Sequence, residues 1–210
     1  DVEGECYDYP EYFFRKRVHR INRPAAVPEE VEDIAEVIAA SKNPMMIVGG
    51  GVRFSEAGET VEKFAEEFHI PYGETQGGKS ACISSHPYNM GGIGVTGTSA
   101  SNRLAQKADC IIAVGSRLSD FTTSSKWLFR NPDVKFVTIN YSRYHAYKYD
   151  ATKAVGDAKA TVEKLAENLR AKSYDSQWGD AIAKARADWD KEYDRLASIV
   201  YTGDDFEPEI

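Results

Sequence analysis

The sequence predicts an α/β fold: a doubly wound, mostly parallel sheet of five or six strands with helices on both faces, plus an extra C-terminal helix. Three observations carry this expectation. Short continuous apolar runs, such as 45–48 and 110–114, show no alternation, so both faces of those strands must be covered. Stretches with apolar residues at helical spacing lie between them, as a parallel sheet requires. Glycine follows directly on two of the runs, at 49–51 and at 115, where a strand must turn into its crossover.

Taken in order, residues 1–27 lack core periodicity. Residues 1–11 are acidic and aromatic, and Arg15, Lys16, Arg17, Arg20 and Arg23 make the next stretch basic, so the segment reads as a linker, or a strap packed on another domain. A nucleic-acid or localisation patch is the competing reading of that basic run. From Pro28, which suits a first helical turn, Val31, Ile34, Ala35 and Ile38 mark an amphipathic helix ending near Asn43. Residues 45–48 form a strand, and Ala57, Val61, Phe64, Ala65 and Phe68 mark the next helix. Strands follow at 70–75, 109–115, 135–140 and 154–155, with a helix at 99–108 and another after Asp157, a residue suited to capping it. A sixth strand is left open. Trp178, Ile182, Ala185, Trp189, Leu196 and Val200 make a stripe on a last helix, read as core or as a docking surface.

The 210 residues fit one domain with appendages. Lys plus Arg number 26 against 33 for Asp plus Glu, a net charge of −7 that argues against a dedicated nucleic-acid binder. Cys6, Cys82 and Cys110 are odd in number and widely spaced, which fits neither a disulfide framework nor a zinc site and suggests a reducing, cytoplasmic setting. No apolar run approaches the ~18 residues of a membrane span. The first residue is Asp1, and the expectation is a piece of something longer.

Ligands of open α/β sheets bind beyond the carboxyl ends of the strands. Three loops sit there. Gly49, Gly50 and Gly51 allow either close approach to a ligand or a tight packed turn. The loop at 76–97 is long enough to be functional or to hide structure. Within it, 73–80 matches G-x-x-x-x-G-K-S, but no long helix follows and no strand supplies a magnesium-binding Asp. Residues 92–97 match G-x-G-x-x-G, but the residues before Gly92 do not read as a strand, as that fingerprint needs. In the third loop Arg117 can hold a phosphate or carboxylate, or pair with Asp120. His19, His69, His86 and His145 show no metal-ligand spacing.

The ordered series 48–51, 74–80, His86-Pro87, 91–97 and 108–117 resembles the central domain of thiamine-diphosphate-dependent enzymes of the acetolactate synthase type. Residues 14–19, 50–57 and 119–123 are most similar to the branch that hydrolyses a C–C bond of a cyclic diketone in inositol breakdown. The resemblance implies a Rossmann-like central domain at 28–172. It also implies that 1–27 links to an N-terminal domain and 173–210 leads to a C-terminal domain, in a homo-oligomeric, soluble enzyme without nucleic-acid or membrane partners. Thiamine diphosphate and Mg²⁺ belong to those other domains. The family's catalytic glutamate and its Gly-Asp-Gly metal motif are not found here, residues 203–205 being Gly-Asp-Asp, so this segment is expected to bind no thiamine diphosphate and to be inactive alone.

Some relatives hold FAD on this domain. Their contacts would fall on Gly49, Gly50, Gly51, Thr96, Gly97, Arg117 and Asp157. Asn140, where flavin binders place an acid, and Ser119 and Phe121 after Arg117 disfavour FAD here. Gln76 and Lys79 are the groups expected to reach an active site. The alternatives are the central domain of acetolactate synthase itself, a nucleotide-binding switch on 73–80, and a protein-interaction module.

Overall fold

The computed structural model describes residues 4–199. Val200, residues 1–3 of the linker and the Gly-Asp-Asp at 203–205 lie outside them. The strands β1 (Pro44–Val48), β2 (Tyr72–Glu74), β3 (Asn89–Gly92), β4 (Cys110–Val114), β5 (Lys135–Asn140) and β6 (Thr152–Val155) form one sheet, in the order β3-β2-β1-β4-β5-β6. Every pairing is parallel. Strand order reverses between β1 and β4, which makes their carboxyl ends the topological switch point.

The unbroken apolar runs are explained by what covers them. Met46 and Val48 of β1, with Cys110, Ile112 and Val114 of β4, face a layer built from α1 (Pro28–Ala39), α3 (Gly58–Phe68) and α7 (Ala158–Ala171). Met45 and Ile47, with Ile111 and Ala113, face α4 (Ser99–Lys107) and α8 (Ala181–Ala197). All ten residues of β1 and β4 are buried, so a polar side chain in either strand would lose its water on either face.

The reading of residues before Gly92 as non-strand is corrected. β3 is the sixth strand and lies inside the loop expected at 76–97. Its sequence, Asn-Met-Gly-Gly, has weak strand propensity. Pairing with β2 holds it, helped by the Asn89 side chain, which donates to the Ile83 carbonyl and accepts the Gly91 amide. The helix expected around Ala57 is preceded by a separate short one, α2 (Gly50–Phe54), and the left-handed Glu56 divides them. Asp157 caps α7 as expected, its side chain accepting the Ala160 amide at 3.2 Å. The short helices α5 (Asp120–Thr123) and α6 (Arg143–Ala146) follow β4 and β5.

The stripe on the last helix divides along its length. Trp178, just before α8, is buried and donates its indole N–H to the Pro44 carbonyl, and Ile182 is buried beside it. Ala185 and Trp189 are half-buried, and Leu196 is exposed. Arg186 fastens α8 to the entry of β3 by donating to the carbonyls of His86 and Asn89 at 2.7 and 2.8 Å. At the other end of the chain, residues 24–26 lie against this same sheet: the Pro24 carbonyl accepts the Asp157 amide, and Arg23 reaches the Ser55 carbonyl and Glu56. No helix among the described residues is long and apolar enough to cross a membrane.

Candidate functional site

Two clefts at the carboxyl side of the sheet take in five of the nine expected site residues, while Gly49, Gly50, Gly97 and Arg117 line neither. The first, about 580 Å³, lies over the switch point and is lined by Gly51, Gly115, Asn140 and Asp157, with Arg20 and Arg23 of the strap across it. The second, about 760 Å³, lies at the β2–β3 edge, where Gln76, Lys79 and Thr96 meet Glu74, Trp189 and Tyr193. Gly97 belongs to the turn between β3 and α4. Arg117 is exposed outside both clefts and makes no ion pair with Asp120; its carbonyl accepts from Lys148. The seven positions tied to a nucleotide or flavin do not converge on one site.

At the switch point the glycines serve backbone packing. A Cβ at Gly49 would lie 2.3 Å from the Gly115 carbonyl oxygen, and one at Gly51 would lie 2.6 Å from the Gly115 Cα. The Gly49 amide donates to Val114 and the Gly51 amide to Gly115, so neither is turned toward a phosphate. Asn140 is used twice within the fold, donating to the Ser116 carbonyl and accepting the Ser142 amide. Asp157 holds its own helix, and the Ala158 amide goes to Ser55 Oγ. A dinucleotide needs amides for its pyrophosphate and an acid for its ribose. Here the Gly49 and Gly51 amides are already bonded within the fold, and Arg20 and Arg23 are the cationic groups that line the cleft.

Both glycine motifs have the same explanation. At 73–80, the Gly78 and Lys79 amides donate to the Thr75 carbonyl, and a Cβ at Gly73 would meet Ser101 Oγ at 2.2 Å. No helix follows until α4. At 92–97 a strand does precede, but Gly94, with φ +98°, packs under the carbonyls of Phe121 and Thr122 at the far edge of the sheet from the switch point. No group of three or more His, Cys, Asp or Glu side chains among the described residues is placed to hold a metal ion.

The edge cleft is chemically richer. Glu74 is 5% exposed, accepts the Cys82 amide at 3.4 Å, and has its carboxyl pushed up by burial. Burial also pushes the Cys82 thiol up to about 12 and raises the Tyr72 phenol, whose hydroxyl has no partner. Buried thiols with raised pKa values are poor nucleophiles. Gln76 donates to Thr96 Oγ1 at 3.3 Å and stays exposed. Of the residues that sequence reasoning passed over, Glu74 carried a signal, a carboxylate inside an otherwise apolar strand. Tyr193 carried none, and the basic run holding Arg20 and Arg23 pointed to a strap on another domain rather than to a cleft of this one.

The family described as the central domain of thiamine pyrophosphate enzymes matches residues 31–165. The 3D-(3,5/4)-trihydroxycyclohexane-1,2-dione hydrolase of Clostridium perfringens is 57% identical over 201 residues, covering 96% of this chain and 32% of that protein. The enzyme of the same name from Clostridium tetani is 53% identical over 210 residues, covering 100% and 33%. The crystal structure of benzoylformate decarboxylase from Polynucleobacter necessarius superposes with a TM-score of 0.57 at 19% identity, covering 74% of this chain and 31% of that one, which establishes the shared fold. The chain thus spans about a third of the length of the relatives it matches. With a parallel 3-2-1-4-5-6 sheet and this matched sequence, the chain belongs to the central-domain family of thiamine pyrophosphate enzymes.

Proposed function

We propose that this chain is the cofactor-free middle part of a thiamine-diphosphate- and Mg²⁺-dependent hydrolase that opens the ring of trihydroxycyclohexanedione. The observation that carries the reading is identity above half along essentially the whole chain to enzymes of that name. The Gly49 and Gly51 amides support the cofactor-free part, since both are bonded within the fold rather than free for a diphosphate. In the intact enzyme the cofactor supplies the carbanion chemistry and the protein supplies placement. This domain sets the spacing of N- and C-terminal domains in the same polypeptide, within a cytoplasmic homo-oligomer, while Gln76 and Lys79 stand at the surface nearest the reacting groups. The exposed Tyr7, Tyr9, Phe13 and Phe14 of the N-terminal segment suit burial against those domains.

The test is an exchange. Replacing the corresponding third of the Clostridium tetani hydrolase with this chain should preserve ring opening of the dione, with no acetolactate formed from pyruvate. Acetolactate formation without ring opening would favour the synthase reading. Tight stoichiometric binding of thiamine diphosphate to the 210-residue chain alone, seen by calorimetry, would overturn the cofactor-free assignment.

A further inference from the structure

The geometry points to a binding site for a neutral, polyhydroxylated ring in the edge cleft between β2, β3 and α8. Its 760 Å³ is within the usual range for small-molecule sites. The charged side chains lining it are Glu74 and Lys79, one acid and one base, rather than the cluster of cations that a phosphate or a dicarboxylate calls for. Neutral hydrogen-bonding groups dominate instead. Thr98 and Asn89 are committed within the fold, to the carbonyls of Met90 and Ile83. Gln76 and Thr96 are exposed and share only one long bond, which a ligand hydroxyl can replace at each end.

The walls complete the match. Trp189 and Tyr193 line the α8 side with aromatic surface, a partner for the C–H groups of a saturated ring. On the sheet side Gly91 and Gly92 leave the floor without side chains. A Cβ at Gly92 would have its nearest neighbour at 3.7 Å, so the strand itself does not require glycine there. The inference rests on the proposed function in taking a ring polyol as the ligand class. The domain exchange tests that function separately, and either result can fail without the other.

The experiment titrates myo-inositol into the 210-residue chain and follows the indole N–H of Trp189 by NMR. A saturable shift with a Kd of roughly 1–10 mM is expected for a ligand of about a dozen heavy atoms. Gly92→Val, which fills the floor with a side chain the strand tolerates, should weaken binding by at least about tenfold, and Gln76→Ala by about threefold to tenfold. Should Gly92→Val not fold, Trp189→Ala, read by ligand-observed NMR, carries the same prediction. A shift that never saturates, equal affinity for open-chain sorbitol, displacement by inorganic phosphate, or undiminished binding in the cleft variants would each overturn the assignment.

Discussion

The two clefts are both glycine-lined, yet glycine does opposite work in them. At the switch point, Gly49, Gly51 and Gly115 bring two loop backbones together at distances no Cβ would permit. At the β3 edge, Gly92 has room around it and leaves a cavity. A glycine cluster at the end of a strand is therefore evidence of close approach, and only the third dimension tells whether the thing approached is a ligand or more protein. Here, where doubly wound folds bind ligands, the loops after β1 and β4 meet main chain to main chain beneath the switch-point cleft, while at the margin Gly92 faces open space.

This contrast predicts a hierarchy of effects. Gly115→Ala meets both a left-handed backbone, φ +62°, and the Gly51 Cα at 2.6 Å. Left-handed strain and overpacking each cost about 1–3 kcal/mol, so thermal denaturation should show a loss of roughly 3 kcal/mol or more. At about 2–4 °C per kcal/mol for a chain of this size, the midpoint should fall by about 10 °C. Retention of the wild-type midpoint would mean that the loops are not in contact. Asp157→Ala removes the α7 cap at the rim of the same crevice and should cost about 1 kcal/mol, with Asp157→Asn recovering most of it.

Smaller effects belong to the edge cleft. Burial raises the folded-state pKa of Glu74 above its unfolded value, so the folded state holds the proton more tightly. Its contribution to stability is therefore full below the unfolded pKa and lost as pH rises through the folded one. Glu74→Gln should match the wild type near pH 4 and exceed it in melting temperature above neutrality; a gap that widens toward acid would contradict this. The smallest effect is expected at Gly92. Gly92→Ala should change stability by no more than about 0.5 kcal/mol in either direction, because its φ is not left-handed and its Cβ meets nothing close. A loss like that of Gly115→Ala would abolish the distinction between the clefts.

Most of the fold was legible in the primary structure. β1 and β4 were visible because burial on both faces forces a continuous apolar run, and α1 and α7 because their apolar positions fall on one stripe. The cap at Asp157 could be read from residue type and position. β3 was not legible, because Asn-Met-Gly-Gly is a strand only through its pairing with β2. The candidate sites were legible in part. Gln76, Lys79 and Thr96 do come together, whereas Gly97 and Arg117 join neither cleft, since nothing local reports which neighbouring loop already occupies a glycine's surroundings. The N-terminal basic run likewise shows no pattern revealing that its end docks beside β6.

Sequence alone determined the α/β alternation, the order of its main elements, the cap at Asp157 and the family likeness, because each depends on spacing along the chain or on residue identity. Tertiary structure alone decided which glycines meet backbone and which meet empty space, and that Glu74 and Gln76 share one cavity with Trp189, more than a hundred residues on. Periodicity encodes which side of an element is buried. It does not encode what lies opposite, and that depends on long-range packing distributed over the whole sheet.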